Sequence, residues 1–180
     1  QLTMSATTKW VIDPAHSELE FKVRHLMITN VTGSFKSFNS EVETEGEEFG
    51  TAKILFTGKV NSITTGNEQR DGHLKSADFF DVEKYPEFTF KSTGFKKAGE
   101  GDFELSGELT LHGVTRPVKL HVEAGGIAKD PFGQVKAGFS VSGKINRKDF
   151  GLNWSAVTET GGMVVSDEVK IQAEVQYIKQ

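Results

Sequence analysis

The 180-residue chain predicts an all-β fold: an elongated, closed, eight-stranded antiparallel up-and-down barrel with a short helical insert between strands. Three observations carry this. Strict apolar/polar alternation recurs along most of the chain, the mark of strands with one covered and one wet face. Short clusters of turn-forming residues separate the runs, so successive strands are neighbours. Several runs reach about ten residues, beyond the usual five or six, which favours a deep barrel over a sandwich.

Taken in order, Trp10-Val11-Ile12 reads as a short strand stopped by Asp13-Pro14. Leu19, Phe21 and Val23 then share a face opposite Glu18, Glu20, Lys22 and Arg24. The next run, Asn30 to Val42, places Val31, Gly33 and Phe35 together, and the out-of-phase Phe38 predicts a bulge near Ser37. Glu45 to Glu48 is a turn, followed by Ala52, Ile54, Phe56, Gly58 and Val60 on one face. Residues 66–90 interrupt the rhythm. Asn67 is a helix cap, and two short helical pieces are expected over Asn67–Lys75 and Ser76–Asp81.

Strands resume at Glu87 and turn near Ala98 to Asp102. Alternating Phe103, Leu105, Gly107, Leu109 and Leu111 follow, and Pro117 can only open a strand or lie on an edge. After Val118, Leu120 and Val122, a Gly-rich stretch and Asp130-Pro131 lead into Val135 through Ile145; Val169 through Tyr177 completes the set. Residues 9–180 form one domain. Residues 1–8 are expected to be disordered, with Gln1 to Thr3 added ahead of a start at Met4.

Composition excludes several classes. Lys+Arg 21 against Asp+Glu 25 are interspersed, leaving no basic stripe for nucleic acid. No apolar run approaches the roughly 18 residues of a membrane helix, so no stable membrane insertion is expected. Without cysteine there is no disulfide or thiolate metal site. The absence of an apolar leader favours a cytoplasmic location, with a periplasmic one as the alternative had a signal been removed.

Phe (14) far outnumbers Trp (2) and Tyr (2), which suits a surface apolar throughout. Gly33, Gly58, Gly107 and Gly143 fall among the inward apolar positions. Either they bend strands of a filled barrel, or they remove volume and leave a cavity. Interleaving with Phe tips the reading toward a cavity, whose lining would select something long and apolar.

Catalytic signatures are weak. His16, His25, His73, His112 and His121 show no metal-ligand spacing, and turn hydrogen bonds are their expected roles. Asp13, His16 and Ser17 lie close in sequence without a nucleophile elbow, so Asp13 is expected to cap the turn and bond Ser17. Asp149-Phe150-Gly151 lacks every companion of the kinase motif. Arg147, at the end of a long inward strand, either pairs for structure or clamps an anionic head group.

Several stretches together resemble the YceI-like, polyisoprenoid-binding family. They are Asp13-Pro14-Ala15-His16-Ser17 with Phe21 and Val23; Val31-Thr32-Gly33-Ser34-Phe35; Asn67 to Leu74; and Asp78-Phe79-Phe80-Asp81 with Tyr85-Pro86 and Phe88. Gly107 to Thr115 and Asn146 to Gly151 complete the set, in the family's order, from about Lys9 to Ile178. The resemblance implies a lipocalin-like barrel, often a homodimer, holding an isoprenoid chain such as a polyprenyl phosphate or quinone. Fatty acid or fatty amide binding is the alternative, then a stress-related protein with a filled barrel. An enzyme acting on lipids is the least favoured reading. Phe21, Phe35, Phe88 and Phe139 would line the interior, with Leu74, Phe79 and Phe80 closing over the ligand. Phe56, Phe90, Leu109 and Val141 share the inner faces, and Arg147, Phe150 and Trp154 stand at the mouth. No catalytic residue, metal or cofactor is expected.

Overall fold

A computed structural model describes residues 7–26, 28–153 and 165–180. The strands are β1 (Thr7–Ile12), β2 (Glu18–His25), β3 (Thr29–Phe35), β4 (Phe38–Glu45), β5 (Glu48–Lys59), β6 (Ile63–Thr64), β7 (Glu87–Gly99), β8 (Asp102–Leu111), β9 (Val114–Lys129), β10 (Val135–Asn146) and β11 (Val165–Lys179). One helix, α1 (Glu68–Lys75), follows β6. Eleven strands make eight staves. The ladder runs β1-β4-β5-β7-β8-β9-β10-β11 and closes where β11 pairs β1, every pairing antiparallel. Beyond β1, β2 takes the same place beside β11, and β3 continues the β4 stave beside β2.

The two broken staves have local causes. Pro14 has no N–H to give a ladder, and a 3-10 turn over Pro14–His16 steps the chain from β1 to β2. Asp13 caps it, accepting from the Ala15 amide at 3.1 Å, and the step is stitched to β11 because Asp13 N–H donates to the Gln176 carbonyl at 2.8 Å. Ser17 is not held by Asp13, contrary to expectation: its hydroxyl accepts from the Gln176 amide at 3.0 Å. The Phe38 phase slip is likewise no bulge but the break between β3 and β4, where the Ser37 amide donates to Ser62 Oγ at 3.0 Å.

Three further expectations are corrected. Thr7 and Thr8 are not disordered; they pair with Glu45 and Thr44. Of the two helical pieces only α1 forms, because Ser76–Asp81 folds as tight turns closed by Asp81 N–H to Ser76 O at 2.9 Å. Gly125 and Gly126 lie within β9, at a bulge opposite Gly138 and Phe139, and leave the turn to Asp130–Gln134.

The inward glycines do not leave vacancies. A ring or branched end from a neighbouring strand lies over each of them. Phe21, directly opposite Gly33, puts its Cζ 2.2 Å from where a Gly33 Cβ would stand, and Phe88 does the same to Gly58. Phe90 covers Gly107 and Leu120 covers Gly143. Aromatic cover of a sheet glycine is a known device for pinning register. Here it also lets the rings lie down along the wall, where a Cβ would stand them up into the interior.

Candidate functional site

Inside the barrel is a cavity of about 390 Å³, lined almost wholly by apolar side chains from every stave. That lies within the roughly 300–1,000 Å³ of small-molecule sites. Its base is packed shut. Phe49 sits between Trp10 and Phe139, at ring separations of 4.9 and 4.8 Å. Trp10 is fully buried and donates to Thr44 Oγ1 at 3.0 Å. The Tyr177 hydroxyl meets Ser40 Oγ at 2.8 Å, so the polar tips of this aromatic floor are satisfied and do not face the lumen bare.

Burial pushes the Tyr177 phenol up to about 12, with the Ser40 hydrogen bond pulling it back down. Because the folded value lies above the ordinary 10.0, the neutral phenol's contribution is complete below pH 10 and is lost as pH rises through about 12. Chemical denaturation across that window should show stability falling by about 2–3 kcal/mol, and Tyr177→Phe should remove this part of the slope.

At the opposite end lie the residues 66–90 insert, the β2–β3 hairpin and a second plug. The insert is moored through Thr65. Arg70 Nε donates to Thr65 Oγ1 at 2.8 Å and Nη2 to its carbonyl at 2.9 Å, while Asp71 Oδ1 accepts from the Thr65 amide at 2.9 Å. Asn67 caps α1 by accepting from the Arg70 amide at 3.0 Å. His73 Nε2 lies 3.0 Å from Asp78 Oδ2, and its ring meets the Phe79 ring edge-on at 5.2 Å. The charged half therefore docks the segment. Leu74, Phe79 and Phe80 face the cavity, with Phe80 6.2 Å from Phe35.

The second plug is the 3-10 turn Arg147–Phe150, which the 3%-exposed Arg147 pins in place. Its guanidinium donates to the carbonyls of Leu152 (2.6 Å), Ser166 (2.9 Å) and Val165 (3.4 Å). Burial pulls this guanidinium down from its ordinary value, and Asp167, 3.6 Å away, pushes it back up. His112 Nδ1 contacts the Phe150 carbonyl at 3.1 Å and Tyr85 packs on the His112 ring, so this histidine closes the plug against the insert.

Of the residues expected to hold a ligand, Phe21, Phe35, Phe56, Phe88, Phe90, Leu109, Phe139 and Val141 line the wall, joined by Leu74, Phe79, Phe80 and Arg147. Phe150 is corrected: it is not on the lining but packed behind it at 1% exposure. Trp154 lies outside the described residues. Missed by sequence reasoning was Phe49, which the alternation of β5 places outside. A register shift of β4 against β5 between Glu43 and Glu45 changes the phase and turns it inward. Tyr177 was on the predicted inner face, and its buried hydroxyl makes it part of the floor.

No helix among the described residues is long and apolar enough to cross a membrane, and these residues hold no cluster of His, Asp and Glu able to ligate a metal.

A closed antiparallel barrel with a sealed aromatic floor, an apolar lumen and a short helix at its mouth is a lipocalin-like binding barrel. More particularly, the chain belongs to the YceI-like domain family, whose model matches residues 10–177. It is 39% identical over 171 residues to UPF0312 protein SA2479 of Staphylococcus aureus (strain N315), covering 94% of this chain and 97% of that protein. The Campylobacter jejuni YceI protein superposes with a TM-score of 0.76 at 36% identity, over 87% of this chain and 90% of that one. A polyisoprenoid binding domain from Saccharophagus degradans shares the fold, with a TM-score of 0.69 at 19% identity over 98% and 100% of the two chains.

Proposed function

We propose that this protein binds and carries a long-chain amphiphile in the barrel without catalysis, an isoprenoid chain such as that of a polyprenyl phosphate or quinone being the preferred class. The observation that carries this is the continuous apolar lining from the aromatic floor to the insert. Apolar burial along a chain gives about 0.8 kcal/mol per CH₂ before ordering costs, so affinity grows with the length inserted. The shared fold with a polyisoprenoid binding domain supports the same class. Against catalysis, His73 reaches the lining paired with Asp78 at 3.0 Å, but no Ser, Cys or Lys nucleophile stands with it among the described lining residues.

Thermal unfolding with geranylgeraniol, geranylgeranyl diphosphate and oleic acid tests the reading. Saturating prenyl ligand should raise stability by about 2.7 kcal/mol at a hundredfold excess over Kd. Oleic acid acting alone would move the assignment to fatty acids, and no shift with any of the three would remove it. In the same assay Phe79→Ala combined with Phe80→Ala should cut ligand affinity at least tenfold and leave the barrel folded. The insert is tied mainly through Thr65 and can loosen as a local unit. Lost folding with unchanged affinity per folded molecule would make the segment core instead of lid.

A further inference from the structure

At its sealed end the barrel is bridged by a single pair of rings. Phe49, the second residue of β5, meets Phe139 of β10 with ring centroids 4.8 Å apart. In the closed ladder β1-β4-β5-β7-β8-β9-β10-β11, β5 and β10 are four staves apart whichever way round they are counted. The two rings therefore come from opposite walls, and their contact crosses the lumen. Among the described residues, the other ring contacts between strands join adjacent staves or staves with one between them. Nearer the mouth, Phe21 and Phe88 lie along the wall over Gly33 and Gly58, and no described glycine gives Phe49 or Phe139 that room.

The crossing ring is also braced. Trp10, wholly buried and off the lining, packs on Phe49 at 4.9 Å. Thr44 Oγ1 accepts from the Trp10 indole and donates to the Gly46 carbonyl at 2.6 Å. On the other arm of the turn, Thr51 Oγ1 donates to the Glu48 carbonyl at 2.6 Å and accepts from the Glu45 amide at 2.8 Å. The turn that delivers Phe49 is thus tied across on both arms, and a chain pressing on the ring meets packed side chains behind it.

Polarity gives an inserted chain its direction. His25, Thr65, Arg70 and His73 lie on the lining at the mouth. At the base the one hydroxyl among the described lining residues belongs to Tyr177 and is taken by Ser40 at 2.8 Å. A head group finds polar partners and water at the mouth, so the hydrocarbon end goes in first and arrives at Phe49. From Phe49 to Gly58, which lies under the Phe88 ring at the insert end, β5 runs about 30 Å at about 3.3 Å per residue. Strands tilted by roughly 35–45° make that about 23 Å along the barrel axis.

We propose that Phe49, braced by Phe139 and Trp10, is the stop that sets the length of chain the lumen accepts. The inference rests on the lumen's being a lipid site. Affinity rises with chain length only while each added unit leaves water. A chain longer than the lumen gains nothing more, because its excess stays outside the mouth.

A chain-length series on the full protein tests this. Displacement of fluorescently labelled geranylgeraniol by geraniol, farnesol, geranylgeraniol, geranylfarnesol and solanesol gives relative affinities. In the wild type, affinity should climb at least tenfold from geraniol to geranylgeraniol and level off before solanesol. Phe49→Ala should move the levelling point to a longer chain and raise the ratio of solanesol to geranylgeraniol affinity at least threefold. Phe49→Leu stays apolar without reaching Phe139; should the alanine variant not fold, the leucine variant must show a rise in the same direction. An equal loss for every prenol would make the ring ordinary wall and overturn the proposal, as would wild-type affinity still climbing at solanesol. Displacement by no prenol at all would remove the lumen assignment too, so the two failures are read apart.

Discussion

Gly58→Ala is expected to abolish long-chain binding in a barrel that still folds. The new methyl would stand 2.2 Å from Phe88 Cζ, closer than any real contact, and the opposing atoms all belong to the far part of the Phe88 ring. The backbone need not move; the ring does. It cannot pass through the wall, so it turns into the lumen beside Phe35 and Phe56, whose rings lie 5.0 and 6.2 Å from it. Overpacking of this kind costs about 1–3 kcal/mol, enough to lower the melting temperature by several degrees and too little to unfold most domains. Binding suffers more, because Gly58 and Phe88 lie at the insert end of β5 and β7, and the ring blocks the path a chain must enter by. The expected result is at least a tenfold loss in affinity for geranylgeraniol. Adding Phe88→Leu, which clears the ring, should restore most of it. Full affinity in Gly58→Ala would mean that the flattened ring is not what keeps the lumen open.

Arg147→Lys should be the most damaging single change to stability. The guanidinium spreads three donors to the carbonyls of Leu152, Val165 and Ser166, which belong to the plug and to the start of β11. An ammonium is a point on a flexible stem and cannot span that fan. Each carbonyl left buried and unpaired costs about 1–3 kcal/mol, so urea denaturation should show a loss of about 3 kcal/mol or more. Affinity per folded molecule should be little changed, because these donors are spent on the backbone. Unchanged stability with lost binding of geranylgeranyl diphosphate alone would instead make Arg147 the clamp for an anionic head group.

These variants also mark what could be read without a structure. Strand faces were legible because a period of two survives in any straight strand: Leu19 with Phe21, Ile54 with Phe56 and Phe139 with Val141 all point inward as the alternation requires. The pattern fails where pairing changes phase, as at Phe38, where one strand ends and another begins, and at Phe49, turned inward beyond a register shift. It is also silent about partners. That Gly58 faces Phe88, and Gly33 Phe21, depends on which strands are neighbours and in what register. The glycines were rightly placed on the inner face, yet what they do there is set by the residue opposite. Arg147 and Phe150 illustrate the same limit. Both stood out at the end of a strand, but their roles in a buried plug follow from contacts with the β8–β9 turn and with β11 that adjacent sequence does not encode.

The central claim is an apolar lumen that holds a long chain. Native mass spectrometry of the protein, purified gently and never delipidated, tests it most directly. The expected spectrum contains a species heavier than the polypeptide by the mass of one long-chain lipid, lost on collisional activation and depleted in Gly58→Ala. A spectrum showing only the bare polypeptide, with prenyl compounds added afterwards and still no adduct, would contradict it.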